Sequence, residues 1–171
     1  LSLAAARQEL SKLKPAFASV TFGAGGSTQD GTNQTVKSII DEDGIDEAPK
    51  ISCISTNPET LSKMLEDYRE LGVKRLDALR GDIPSFYGMA EHKELRYANE
   101  LVEFIRQKTG EYYTIEVAYY PEFHTQASSA KADLLNFKRK VEAGADSAIT
   151  QYFYNPEAYF RFIEDCQSMG L

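Results

Sequence analysis

Hydrophobic and polar positions along this 171-residue chain change period at regular intervals. Residues 4–13 carry apolar side chains at helical spacing, with Leu3, Leu10 and Leu13 available for one face, and Pro15 stops the pattern. Residues 17–22 read as a strand, a glycine-rich loop follows, and Thr32 can cap a helix running to about Asp43. Residues 51–54 predict a second strand. Asn57-Pro58-Glu59, a cap residue with proline in the first turn, opens a helix ending near Gly72. That helix places Leu61, Met64, Leu65 and Tyr68 on one side. Residues 75–79 form the third predicted strand, and a loop leads to a helix from Glu94 to about Lys108. Residues 113–119 make a fourth strand, and 129–143 a helix with Leu134, Leu135, Phe137 and Val141 as its apolar residues. Residues 147–152 make a fifth strand, and Asn155-Pro156-Glu157 starts the last helix.

Strands alternating with helices imply parallel βαβ units with right-handed crossovers. Two α/β architectures satisfy that rhythm. One is a doubly wound open sheet; the other is part of a (β/α)₈ barrel, of which this chain would supply about five strands. Periodicity alone leaves both open.

Composition narrows the class. Hydrophobic residues make up 42% and charged residues 26%, the balance of a globular chain of one domain. A net charge of −7 argues against a general nucleic-acid surface, whose phosphates it would repel. No apolar run reaches the length of about 18 residues that a membrane helix needs, so no membrane association is expected. The first residues lack a basic signal-peptide region and an initiator Met, which reads as a fragment or processed piece. Cys53 and Cys166 lie in apolar settings without metal-type spacing, predicting reduced thiols and a cytoplasmic location. Two distant histidines give a metal site little support, and none is expected.

The strand ends carry the candidate chemistry, because ligands of parallel α/β proteins collect there. The first ends in Thr21-Phe22-Gly23-Ala24-Gly25-Gly26-Ser27-Thr28, whose backbone N–H groups can meet an anion or a flat ring. It lacks the order of a dinucleotide fingerprint and the lysine of a P-loop, and reads equally as a plain loop. The third ends in Leu79-Arg80-Gly81-Asp82, a cation and an anion around a glycine that permits close approach. Tyr120-Pro121-Glu122-Phe123-His124 follows the fourth, with Glu122 a possible acid or base and His124 a possible phosphate or ribose partner. In the next helix Asp133, Asn136 and Lys140 share a face, with Arg139 one step aside. That stripe suits either solvent or a ribityl chain and diphosphate. The fifth strand ends in Thr150-Gln151, whose amide can donate and accept to a heterocycle.

Residues 19–28, Leu79-Arg80-Gly81-Asp82, residues 120–124 and residues 144–153 resemble, in that order, methylenetetrahydrofolate reductase of the bacterial type. The resemblance runs from Phe17 onward. It implies a partial (β/α)₈ barrel, one incomplete domain over residues 1–171, binding FAD. It implies an oxidoreductase of folate and one-carbon metabolism, serving methionine biosynthesis. NAD(P)H as co-substrate would reduce the flavin, which then converts 5,10-methylenetetrahydrofolate to 5-methyltetrahydrofolate. Carried over by motif, Thr21, Phe22 and Ala24 would line the flavin and nicotinamide side. Arg80, Gly81 and Asp82 would contact the isoalloxazine and its chain, with Asp82 the catalytic carboxylate and also a folate contact. Tyr97, Ala98, Ala118, Tyr120 and His124 would continue the cofactor site. Asp133, Asn136, Arg139 and Lys140 would hold its polar tail, and Gln151 would bond the pterin of the folate substrate.

Several positions depart from the family pattern. The first strand, with its glutamate, and the last two strands have no counterpart. Lys50 stands in place of a histidine, Asp77 in place of an apolar residue and Tyr119 in place of a small one. The unpaired edges of an incomplete barrel favour association, so a homo-oligomer is expected. A non-catalytic α/β scaffold or binding module derived from the same barrel is a second reading, favoured by Lys50 and the absent glutamate. A third is an unrelated barrel enzyme acting on a phosphorylated metabolite through the glycine-rich loop and His124.

Overall fold

The computed structural model describes residues 3–21, 36–43, 45–54, 56–81 and 95–171. Strands β1 (Ala18–Val20), β2 (Glu47–Ser52), β3 (Arg75–Leu79), β4 (Thr114–Tyr119) and β5 (Ser147–Thr150) form one sheet. Every pairing is parallel and the spatial order is β1-β2-β3-β4-β5. A doubly wound sheet reverses its strand order at a switch point; this one never does. The fold is therefore a half-barrel of five βα units, part of a (β/α)₈ barrel.

Helices α1 (Leu3–Ser11), α2 (Pro58–Glu70), α3 (Ala98–Thr109), α4 (Ala130–Glu142) and α5 (Pro156–Ser168) accompany the strands, with a π-helical turn at Ile39–Asp43. Their starts follow local chemistry. Asn57 Oδ1 accepts from Thr60 N at 2.8 Å, Ser129 Oγ from Ala132 N at 3.1 Å and Asn155 Oδ1 from Glu157 N at 3.0 Å. Pro58 and Pro156 occupy first-turn positions where no N–H is needed. The helix expected from Glu94 begins instead after Tyr97, where the Glu100 carboxylate takes the Tyr97 N–H at 3.1 Å.

Strand alternation divides the sheet into two chemically distinct faces. Ile51, Leu76, Ala78, Ile115 and Val117 are buried against Leu61, Met64, Leu65, Tyr68, Leu101, Val102 and Ile105 of the helices. Tyr119 lies on the same face. Its ring stacks on Phe162 at 3.4 Å and meets Phe137 edge-on at 5.1 Å, so the bulk that departs from the family pattern is absorbed by α4 and α5. The other face carries Lys50, Ser52, Asp77, Glu116 and Ser147, brought level by register. The Lys50 ammonium lies 3.7 Å from the Asp77 carboxylate, and Glu116 bonds both Arg75 and Ser147. Asp77 thus has the partner that its burial demands. Burial still raises its pKa, with Lys50 opposing and Glu116 reinforcing the shift.

Other expectations shift. β2 starts at Glu47 rather than Ile51, because Pro49 stands where its pairing passes from β1 to β3 and loses no needed bond. β4 starts one residue later than expected, and β5 ends at Thr150 rather than Tyr152. Leu10 and Leu13, expected on a buried face, are 59% and 77% exposed, since α1 ends at Ser11. Leu135 is also largely exposed, leaving Phe137 as the buried residue of α4.

Arg106 ties the later units together. From α3 it donates to Gly144 O at 2.7 and 2.9 Å, Tyr113 O at 2.8 Å and Asp146 at 2.6 Å. Replacing it by Ala leaves those carbonyls short of donors, and urea unfolding should show a loss of about 2–4 kcal/mol. Glu47 generates a second expectation. Burial pushes its carboxyl up to about 7, opposed by its own backbone N–H and assisted by Asp46. The folded chain then holds this proton more tightly than the unfolded one, so the stabilising contribution is full below about pH 4.5 and is lost as pH rises through about 7. Glu47→Gln should gain about 1–2 kcal/mol at pH 8 and almost nothing at pH 4 in denaturant melts.

Candidate functional site

Because the strands are parallel and consecutive, Thr21, Cys53, Arg80, Tyr120 and Gln151 all emerge at one end of the sheet. The centre of that end is the turn after β3. The Arg80 carbonyl accepts from Ser52 Oγ at 2.8 Å, from Ile54 N at 3.1 Å and from Cys53 Sγ at 3.5 Å. Gly81 takes a φ of +84°, which favours glycine. A Cβ on Gly81 would stand 2.2 Å from Ser52 Oγ, so no larger residue fits without breaking the turn. Cys53 is 2% exposed, and burial pushes its thiol up to about 11.

Arg80 connects this turn to the loop after β4. Its guanidinium donates to Gln126 Oε1, and the Gln126 N–H donates to His124 Nδ1 at 3.1 Å. The His124 N–H in turn donates to Asp133 Oδ2 at 2.9 Å. An accepting Nδ1 places the imidazole proton on Nε2. The Tyr120 ring meets the imidazole edge-on at 4.5 Å, and Phe123 has a left-handed backbone, φ 60°, where the loop turns. Arg80, Tyr120, His124 and Asp133 are thus drawn into one connected group.

Along α4 the expected polar stripe divides. Asn136 and Arg139 are exposed and joined, Arg139 Nη1 donating to Asn136 Oδ1 at 2.8 Å. Lys140 leaves the solvated face and turns inward, its ammonium donating to the Ala118 carbonyl. Burial lowers its pKa to about 8, with Asp133 pulling the other way. The reason is reach: a four-carbon stem lets the head cross to a carbonyl at the strand end. Gln151 also differs from expectation. Its Oε1 accepts from the Tyr152 N–H at 3.2 Å, which leaves the amide NH₂ as the group available to a ligand.

Thr21 is exposed at the end of β1, and Ala118 is the small residue beside Tyr120. Tyr97 and Ala98 stand at the N-terminus of α3, and no hydrogen bond among the described residues joins them to the Arg80 group. Phe22, Ala24 and Asp82 lie outside the described residues. Two contributors escaped the sequence reading. Ser52 was legible only through alternation with Lys50, once β2 was placed correctly; Gln126 carried no local signal.

The model of the methylenetetrahydrofolate reductase family matches residues 2–171. The chain belongs to this family. It is 44% identical over 162 residues to 5,10-methylenetetrahydrofolate reductase of Escherichia coli strain K12, covering 95% of this chain and 53% of that protein. The enzyme of the same name from Buchnera aphidicola subsp. Acyrthosiphon pisum is 40% identical, covering 92% and 52%. Methylenetetrahydrofolate reductase (NADH) 1 of Zea mays is 34% identical, covering 92% of this chain and 28% of its own length. The chain thus spans about half the length of the bacterial reductases it matches. Among solved structures, a phosphonopyruvate hydrolase complex with oxalate and Mg superposes with TM-score 0.69 at 10% identity, over 93% of this chain and 59% of that one. That likeness concerns the fold alone.

The position of Lys140 yields a prediction. A buried ammonium that shifts downward costs folding free energy below about pH 8. Lys140→Met should raise the stability of the ligand-free chain by about 1 kcal/mol at pH 7, and progressively less between about pH 8 and pH 10.5, as measured by thermal melts.

Proposed function

We propose that this chain forms the FAD-holding part of a reductase that converts 5,10-methylenetetrahydrofolate to 5-methyltetrahydrofolate with NAD(P)H. The observation that carries the reading is the Arg80–Gly81 turn, where a fixed cation adjoins a glycine with no room for a side chain. The residues present fit the cofactor. Gly81 keeps the backbone accessible to a flat ring, while Asn136, Arg139 and Lys140 offer amide and cationic groups for a polar tail. When bound, FAD supplies the two-electron carrier between NAD(P)H and the folate.

The chain's own residues then have distinct tasks. Arg80, held by Gln126, presents positive charge to the ring end of the cofactor. His124 contributes an outward Nε2–H, with Tyr120 packed against its ring. Thr21, Phe22, Ala24, Tyr97, Ala98 and Ala118 complete the lining in this proposal. Asp82, next in sequence to Gly81, is the proposed catalytic carboxylate, whose negative charge opposes charge accumulation on the ring. Gln151 offers its amide NH₂ to an acceptor on the pterin. The buried free thiols Cys53 and Cys166 suit a reducing cytoplasm. Among the described residues no helix is long and apolar enough to cross a membrane. Association into a homo-oligomer through the outer edges of β1 and β5 belongs to the same proposal.

One observation favours the second reading, a scaffold without cofactor: the Lys50–Asp77 pair on the sheet face that bears Ser52. Uptake of FAD separates the two. The purified chain mixed with FAD and desalted should be yellow and release FAD on denaturation. Anaerobic NADH should bleach it, and Arg80→Ala should weaken FAD binding by about tenfold or more. A folded but colourless protein after FAD addition would overturn the reading and leave the scaffold.

A further inference from the structure

We infer that Ser52 is a positioning residue: its hydroxyl fixes the Arg80–Gly81 peptide so that the Gly81 N–H is presented to the ligand. This rests on the FAD reading above and adds to it the device that aims a backbone donor. The geometry begins with the Arg80 carbonyl. In a parallel ladder a carbonyl needs one N–H, and Ile54 already supplies it at 3.1 Å. Ser52 adds a second donor at 2.8 Å from a side chain that is 5% exposed. Both donors belong to the β2 side, so the carbonyl is drawn toward β2.

A trans peptide holds its N–H antiparallel to its C=O, and no described peptide is cis. The Gly81 N–H is therefore turned away from β2, on the side of β4 and its loop. No described group accepts from it. The residue that carries it has the positive φ this orientation needs, and the Ser52 hydroxyl occupies the space a Gly81 side chain would take. Serine and glycine thus form a matched pair: the hydroxyl holds the peptide plane, and the missing Cβ makes room for the hydroxyl. The donor so presented suits an acceptor atom, a carbonyl oxygen or ring nitrogen, at the edge of a planar heterocycle. Ser52 itself touches the peptide and not the ligand.

The test uses the full chain, with FAD titrated by flavin fluorescence and ¹⁵N spectra recorded without ligand. Ser52→Ala should weaken FAD by about tenfold, while Ser52→Thr, which keeps the hydroxyl, should remain within about twofold of the parent. The Gly81 amide resonance of the ligand-free chain should move in Ser52→Ala and stay in Ser52→Thr. Gly81→Ala should weaken FAD on its own, and its loss should combine less than multiplicatively with that of Ser52→Ala, because the two groups share one space. If Ser52→Ala does not fold, Ser52→Cys replaces it, keeping bulk with a weak donor, and the same two readouts apply. A folded Ser52→Ala that binds FAD like the parent with an unmoved Gly81 amide overturns the inference. Failure of the parent to take up FAD overturns the reading beneath it instead, while the amide shift still reports on Ser52.

Discussion

The ladder that holds β3 between β2 and β4 determines where every functional group of this chain can go. Lys50, Asp77, Glu116 and Ser147 stand level across four strands, and Ser52 stands level with Leu79. With a side-chain period of two, Leu76 and Ala78 must then enter the helix layer while Asp77 faces the other way. A slip of one residue would drive the Asp77 carboxylate among Leu65, Leu101 and Ile105. It would also move the Arg80 carbonyl away from Ser52. The same register that protects the core therefore builds the turn at the strand end.

Charge reinforces this register. Asp77 and Glu116 are adjacent acids, each nearly excluded from solvent, and two such groups repel. Lys50 answers one from β2 and Arg75 answers the other from β3. Such pairs offset the cost of desolvation more than they add stability. Their larger effect is selective, because any other alignment leaves buried carboxylates without cations. The substitutions that depart from the family pattern at residues 50 and 77 are thus explained together, as a pair, and neither makes sense singly.

Much of this was legible in the chain itself. Residues 75–79 were bounded correctly because a charged entry and an arginine–glycine exit frame an apolar stretch. Asn57 and Asn155, each followed by proline, located two helix starts. β2 was misplaced since Glu47, Pro49 and Lys50 carry weak strand signals, and only pairing on both sides makes them a strand. Of the candidate site, the strand-end residues were found because chemistry at strand ends follows from topology. The partners that orient them were not. Gln126 meets Arg80 across 46 positions of sequence, and Lys140 turns inward through the length of its stem. Such contacts are decided by three-dimensional packing, and no local pattern announces them.

The Cys53 thiol, lodged against the Arg80 carbonyl, has a chemical consequence. Nucleophilic sulfur is thiolate sulfur, and a group titrating at about 11 is ionised in only about one molecule in ten thousand at pH 7. Electrophiles and peroxides therefore find almost nothing to attack there, and burial keeps most of them away. A bulky adduct or an acid on that sulfur would wedge β2 from the turn after β3. The position most sensitive to covalent damage is the one the fold has left least reactive.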